Sequence, residues 1–262
     1  MVGNFLARGM LVGIVASLFC FGFLKLYGEP QVERAIAFEA QMANAKAAAA
    51  NAAPAHQHDH VHKTADAEAP KGEHEELVSR TVQAGIGLLT GLFVYCTAFG
   101  GLFALAFAFA YGRTAVVSPQ TLSAVLAVAG FIAIYLVPTL KYPANPPSIG
   151  DAETIGLRTA LYFVMIAVSI AAMLASAMLK GRLAPRFGDW NATLIAVMVY
   201  VALMAIAGLV LPAVNEVPEQ FPADVLWRFR LSSIGTQAVM WAIIGLLFGA
   251  LTQRAATANA LR

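Results

Sequence analysis

The sequence predicts an all-α integral membrane protein with about six transmembrane helices and one long polar, histidine-bearing loop after the first helix. Of its 262 residues 59% are hydrophobic, and the mean hydropathy is +0.70. Charged residues make up only 12% of the chain, about half the share of a soluble domain. The apolar residues also fall into long runs, and a run that crosses hydrocarbon must satisfy its backbone polar groups internally, as a helix does.

The first apolar run covers residues 4–27 and is long enough to cross a bilayer, which takes about 20 residues. A cleaved signal peptide is the alternative, but residues 24–30 contain no small-x-small cleavage site, which favours a retained helix. Five more runs of spanning length follow, at residues 82–111, 120–140, 157–179, 192–211 and 232–251.

These runs divide the chain into four parts: a first transmembrane helix (1–27), a polar His-rich loop (28–80), a five-helix transmembrane bundle (81–254) and a tail (255–262). Within the loop, residues 31–51 are rich in Ala, Glu and Lys, which favours a helical stem leaving the membrane. The loop lacks the apolar periodicity of a folded domain, so we expect it to be partly disordered without metal.

The positive charges barely decide the orientation, because both sides of the predicted bundle carry Lys and Arg. The densest basic short loop contains Lys180, Arg182 and Arg186, and the positive-inside rule places it in the cytoplasm. We therefore expect both termini inside and the His-rich loop outside, together with two Pro-rich loops at residues 138–159 and 211–230.

The clearest chemical signal is a tract in which four of the five histidines occupy alternate positions. Alternate residues share one face of an extended chain, and neutral imidazole is the commonest side-chain ligand for transition metals. The tract predicts transition-metal binding, although a solvated low-complexity loop is the alternative. It does not separate Co²⁺ from Ni²⁺, Zn²⁺ or copper. The predicted metal ligands are His56, His58, His60, His62 and His74.

No feature of the sequence predicts an enzyme. A catalytic metal centre of the desaturase type would fix its histidines on helices in the bundle, whereas all five histidines here lie in the loop. There is no phosphate-binding loop for ATP hydrolysis and no basic cluster for a nucleic acid. Cys20 and Cys96 lie inside apolar runs, where free cysteine is usually a packing residue.

The two Pro-rich loops contain acids that could receive a cation from the His tract. These candidates for a receiving site are Asp151, Glu153, Glu216 and Asp224. Pairing of the acids in the second loop with Arg228 and Arg230 is the alternative.

Two polar residues lie inside apolar runs, and both need partners. Arg158 stands one turn into the fourth run, where an unpaired charge is costly, and Glu153 or Asp151 is the nearest acid. Gln237, in the last run, must find a partner within the bundle. Pro138, near the end of the third run, is expected to break that helix.

The two loops resemble those of the CbtA family, predicted cobalt transporter subunits of bacterial inner membranes. The likeness rests on LKYPANPP at 140–147, GDAETIGLRT at 150–159 and NEVPEQFP at 215–222, and WRFR at 227–230 and the segment 237–241 extend it. Together with the first helix and the His-bearing loop, it covers nearly the whole chain.

The resemblance implies cobalt uptake, beside a small single-helix companion subunit of the CbtB type that bears its own histidines. In that family cobalt is inferred from association with cobalamin biosynthesis. Co²⁺, with Ni²⁺ or Zn²⁺ as alternatives, would be cargo and no cofactor would be permanently bound. A non-transporting metal-binding subunit (a sensor, scaffold or storage partner) is the rival interpretation. The sequence leaves open whether the chain forms a homo-oligomer in its lipid bilayer.

Overall fold

All regular structure in the described part of the chain is helical. The computed structural model describes residues 2–52, 78–113, 117–147, 149–150 and 153–260, and no strand occurs among them. The five histidines and Asp151 lie outside these residues. The helices are α1 (Val2–Phe23), α2 (Glu29–Ala52), α3 (Arg80–Val82), α4 (Leu88–Tyr111), α5 (Pro119–Gly130), α6 (Val137–Lys141), α7 (Ile155–Val210) and α8 (Ala223–Ala260).

Three wider π-helical turns join neighbouring helices without ending them, at Leu24–Gly28, Gln83–Gly87 and Phe131–Leu136. The first and third lie just before Pro30 and Pro138. A proline ring clashes with the carbonyl four residues earlier, and a wider turn relieves that clash. The helix therefore continues past Pro138 to Lys141. Our prediction that Pro138 breaks the helix was wrong.

Among the described residues, five helical stretches are long and apolar enough to cross a membrane, judged by length and composition. This confirms the predicted class of all-helical membrane protein. Two of the six predicted runs, 157–179 and 192–211, lie within one stretch, α7. The five stretches are Val2–Ala49, Arg80–Tyr111, Pro119–Lys141, Ile155–Val210 and Ala223–Ala258.

The 56-residue helix α7 reverses direction near Gly188, whose φ of 78° and ψ of 159° are not helical. Glycine adopts this backbone conformation without steric cost. The hydroxyls of Ser169 and Tyr200 lie 2.8 Å apart across the reversal. In a straight helix residues 31 positions apart would be about 46 Å apart. Because the hydroxyl of Thr154 also reaches Glu216, the two ends of α7 lie at the same end of the bundle.

The core forms where α1 crosses α4 in direct backbone contact. A Cβ added to Gly9 would lie 2.2 Å from the carbonyl oxygen of Gly100, and one added to Gly100 would lie 2.1 Å from that of Gly9. A Cβ on Gly13 would lie 2.2 Å from the carbonyl oxygen of Cys96. Small residues permit this close approach of membrane helices. By contrast, a Cβ on Gly91 would meet nothing within 4 Å.

Aromatic rings close the end of the bundle that holds the beginning of α1. Phe107 and Phe248 are fully buried, and their ring centroids lie 5.0 Å apart in an edge-to-face arrangement. Phe5 contacts Phe107 at 5.4 Å, and Phe103 contacts Phe248 at 5.5 Å. This end of the α1–α4–α8 core is therefore filled by apolar side chains.

At the opposite end, α2 continues from α1 through the first π-helical turn and packs on the Pro-rich loops. The rings of Phe38 and Phe221 meet edge to face at 5.1 Å, and Ala35 is buried beside Ile149 and Val225. The predicted helical stem is confirmed as Glu29–Ala52. Its first turns are attached to the bundle, so the stem is anchored where it leaves the membrane.

Candidate functional site

Glu216 joins the two Pro-rich loops. Its carboxylate accepts a hydrogen bond from the Thr154 hydroxyl and lies 3.3 Å from Nε of Arg158. Glu153 or Asp151 was the predicted partner of Arg158; Glu216 is a further partner, from the other loop. The Arg158 and Glu216 side chains are 27% and 16% exposed, so the pair is largely shielded from solvent. Glu216 therefore stabilises the loops, and its charge is balanced by a cation of the protein.

Gly150 makes room for the Arg158 guanidinium beside this pair. Its φ is +122°, and a Cβ at this position would lie 2.4 Å from Nη1 of Arg158. A side chain would be strained by the backbone conformation and would also displace the guanidinium. The glycine is therefore part of the Arg158 site.

Arg230, an alternative partner for the loop acids, binds backbone and amide oxygens instead. Its Nη2 donates to Oδ1 of Asn145 at 2.9 Å, and its Nε donates to the carbonyl of Ala144 at 3.3 Å. Lys141 similarly donates to the carbonyl of Gly208 at 2.7 Å. Arg230 therefore attaches the first Pro-rich loop to α8, and Lys141 attaches the end of α6 to α7.

The other predicted acids of the receiving site lie on the two Pro-rich loops and the start of α8. Glu153 is exposed, and Asp224 is exposed in the first turn of α8. Within the described ranges no group of three or more His, Cys, Asp or Glu side chains is placed to hold a metal ion. Asp151 lies outside the described residues, so the receiving site formed by these acids stays a prediction.

A cavity of about 280 Å³ lies between α1, α4 and α8, below the end where α2 emerges. Glu29 lies at its mouth, where its carboxylate is 2.7 Å from Nη2 of Arg80. Gln237 lines the wall and donates to the hydroxyl of Tyr95 at 3.0 Å, which gives this polar residue its partner. The lining also includes Cys20, Cys96, Ser232, Ser233, Thr236 and Met240.

Sequence reasoning missed this cavity and the residues that line it. Glu29 follows directly after the first apolar run, and that position was the one signal that could have marked it. The two cysteines had been interpreted as packing residues, because nothing in the sequence indicates that they lie side by side. The cavity extends from the end of the bundle near Glu29 into its interior, as far as Cys20 and Cys96.

The CbtA family model, described as a probable cobalt transporter subunit, matches residues 2–253. The chain belongs to this family. No curated protein and no solved structure matches it. The CbtA match includes the whole of α1 to α7 and most of α8, so both the loop site and the cavity lie within the family region. The five described stretches of spanning length, together with the family match, indicate a multi-pass membrane protein of a family described as a probable transporter subunit.

Proposed function

We propose that this CbtA-family chain takes up cobalt, or a similar divalent transition-metal ion, across the bacterial inner membrane. The observation that carries the proposal is the cavity between α1, α4 and α8 in a chain of a transporter family; its lining is mostly apolar and includes a few polar side chains such as Glu29 and Gln237. Its mouth lies at the end where α2 begins. Beyond its inner end the core is filled by side chains that include the fully buried Phe107 and Phe248, which corresponds to an outward-facing state.

We further propose six crossings, with both termini in the cytoplasm and the His-rich loop outside. Supporting this number, α7 reverses at Gly188 and its two ends lie together beside Glu216. An even number of crossings then places the beginning of α1 and the end of α8 on one side. The loops that contain Asn145 and Glu216 share the outer side with the cavity mouth.

In this proposal the His tract captures the ion and the bundle conducts it. His56, His58, His60 and His62, with His74 nearby, raise the concentration of metal close to the mouth. The exposed acids Glu153 and Asp224, with Asp151, add a negative surface that attracts cations. The ion is cargo, and the chain needs no permanently bound cofactor and performs no enzymatic reaction.

The membrane potential is sufficient to drive the uptake. Moving a divalent cation inward gains roughly 4.6 kcal/mol per 100 mV, twice the figure for a single charge. A small single-helix CbtB-type companion is the proposed partner, because the family consists of subunits. The lipid-facing outer surface of α7 provides apolar area for such a helix.

The test is cobalt flux into proteoliposomes that contain the purified chain, with and without the companion. We expect time-dependent accumulation that increases with an inside-negative potential. Replacing the four tract histidines with Ala is expected to raise the cobalt concentration needed for half-maximal uptake, with little change in the maximal rate. Absence of flux in both preparations would contradict transport and favour a sensor, scaffold or storage subunit.

A further inference from the structure

The closed end of the cavity is formed by sulfur side chains. α1 runs outward along the cavity, and its innermost lining residue is Cys20. α4 and α8 run inward, and their innermost lining residues are Cys96 and Met240. Nearer the mouth the lining is mainly apolar, with a few polar side chains such as Glu29, Ser233 and Gln237. The lining ends at two thiols and a thioether.

The two thiols interact directly with each other and with one backbone carbonyl. Cys20 and Cys96 are side-by-side neighbours, and Sγ of Cys20 lies 3.6 Å from the carbonyl oxygen of Thr236. Cys20 is 0% exposed, and Cys96 and Met240 are each 1% exposed. Three sulfur side chains from three helices thus line one cavity, and the Thr236 carbonyl lies beside one of them.

Backbone contact between α1 and α4 constrains the helices that carry the two thiols. The absent Cβ of Gly13, about two helical turns before Cys20, lets α1 rest directly on the Cys96 carbonyl. A ligand pair held on helices in backbone contact is preorganised, which a metal site requires.

We propose that Cys20 and Cys96, as thiolates, together with the thioether of Met240, bind a transition-metal ion inside the membrane. This inference rests on the proposed function, since the ion is the cargo in transit. One divalent ion replaces the protons of two thiols, two metal–sulfur bonds form and two protons leave to water in the cavity. The resulting unit is neutral, which reduces the cost of holding a divalent ion at membrane depth.

The ligand chemistry also gives the site selectivity. Thiolate and thioether sulfur are soft ligands that favour transition metals, whereas Mg²⁺ and Ca²⁺ prefer oxygen. A sulfur site at the inner end of this cavity would therefore bind the abundant hard cations only weakly. Because sulfur also suits Zn²⁺, cobalt and zinc are expected to compete for it.

The first experiment titrates Co²⁺ into the purified full-length chain whose four tract histidines and His74 are replaced by Ala, which removes the predicted outer histidine ligands. We expect a near-ultraviolet sulfur-to-cobalt charge-transfer band that saturates at one ion per chain, with release of two protons in weak buffer. Cys20→Ser and Cys96→Ser should each abolish the band, and Met240→Leu should weaken binding about tenfold. Ser176→Ala, a buried change in α7 away from the cavity, is the matched control and should leave the band unchanged.

A second measurement needs no cysteine variant, in case those proteins do not fold. X-ray absorption at the zinc edge of the same tract-less chain should show a sulfur shell at about 2.3 Å. A shell of nitrogen and oxygen alone, or a cobalt band that survives Cys20→Ser, would overturn the inference. Flux is measured separately. Uptake that is unaffected by loss of both thiols would contradict the sulfur site and leave the proposed function standing. A sulfur shell without flux would support the sulfur site and contradict the proposed function.

Discussion

Nε of Arg158 lies 3.3 Å from the carboxylate of Glu216, so the first turn of α7 is tied to the loop that follows its last turn. The same carboxylate accepts a hydrogen bond from the hydroxyl of Thr154. The contact closes the helical hairpin at its base and sets the position of both Pro-rich loops. These loops are consequently one structural unit at the outer end.

Replacing Glu216 with Gln should lower the free energy of unfolding by about 1–3 kcal/mol, the range for a partly buried hydrogen bond to a charged group. The amide still accepts from Thr154 but loses the attraction to Arg158. Thermal unfolding in detergent measures the change. Glu219→Gln alters an exposed acid of the same loop and should have almost no effect. Equal stability of the two variants would show that the ion pair contributes nothing.

Replacement of glycine by alanine should have different effects on stability at two positions in α4. Gly100→Ala places a Cβ 2.1 Å from the carbonyl oxygen of Gly9, so the helices must move apart at a cost of about 1–3 kcal/mol. Gly91→Ala meets open space and should be neutral or stabilising by about 0.5–1 kcal/mol, because alanine favours a helix. Melting temperatures measure the difference between the two variants. Equal changes in melting temperature would contradict the packing argument.

The reversal within α7 can be tested by labelling single cysteines in intact cells with a membrane-impermeant maleimide. A cysteine at Glu219 should react from outside, whereas one at Asp189 should react only after lysis. Both positions are exposed on the protein surface, and the native cysteines are buried. Labelling of both from the same side would contradict six crossings.

The anchoring of α2 should depend on the contact between Phe38 and Phe221. Phe221 is 6% exposed, so its replacement by Ala is expected to cost about 3–5 kcal/mol. A double-mutant cycle with Phe38→Ala should give a coupling energy of about 0.5–1.5 kcal/mol, typical of an edge-to-face pair. Limited proteolysis should then cut within α2 more rapidly. Additive effects would indicate that the two rings are energetically independent.

Hydrophobic pattern was sufficient to predict the membrane class and the helical stem, because both follow from local composition. It also located each of the six apolar runs in a helix. It could not predict that Arg158 pairs with Glu216, since that contact depends on how distant loops meet. The response of the chain at Pro138 was also missed, because a wider helical turn can accommodate a proline that would otherwise end the helix.

The cavity could not be predicted from the sequence, because it too depends on how distant segments of the chain meet. Cys20, Cys96 and Met240 are ordinary apolar residues of three separate runs, and only the crossing of α1, α4 and α8 brings them together. The His tract remains a prediction, since its residues lie outside the described part of the chain. The prediction that Gln237 has a partner in the bundle was possible, because it needed only the rule that a polar group in hydrocarbon must be hydrogen-bonded.

The backbone contact of α1 with α4 has a consequence for movement. Helices that touch at Gly9, Gly13 and Gly100 have no side-chain layer that could shear, so they behave as one rigid frame. An alternating-access cycle then needs its moving part elsewhere. α8 carries Met240 and Phe248 on a surface held by side-chain packing, so it can shift relative to the frame. In the proposed transport cycle, a displacement of α8 would separate Phe248 from the aromatic cluster and Met240 from the proposed sulfur site in the same step, which would couple opening inward to release of the ion.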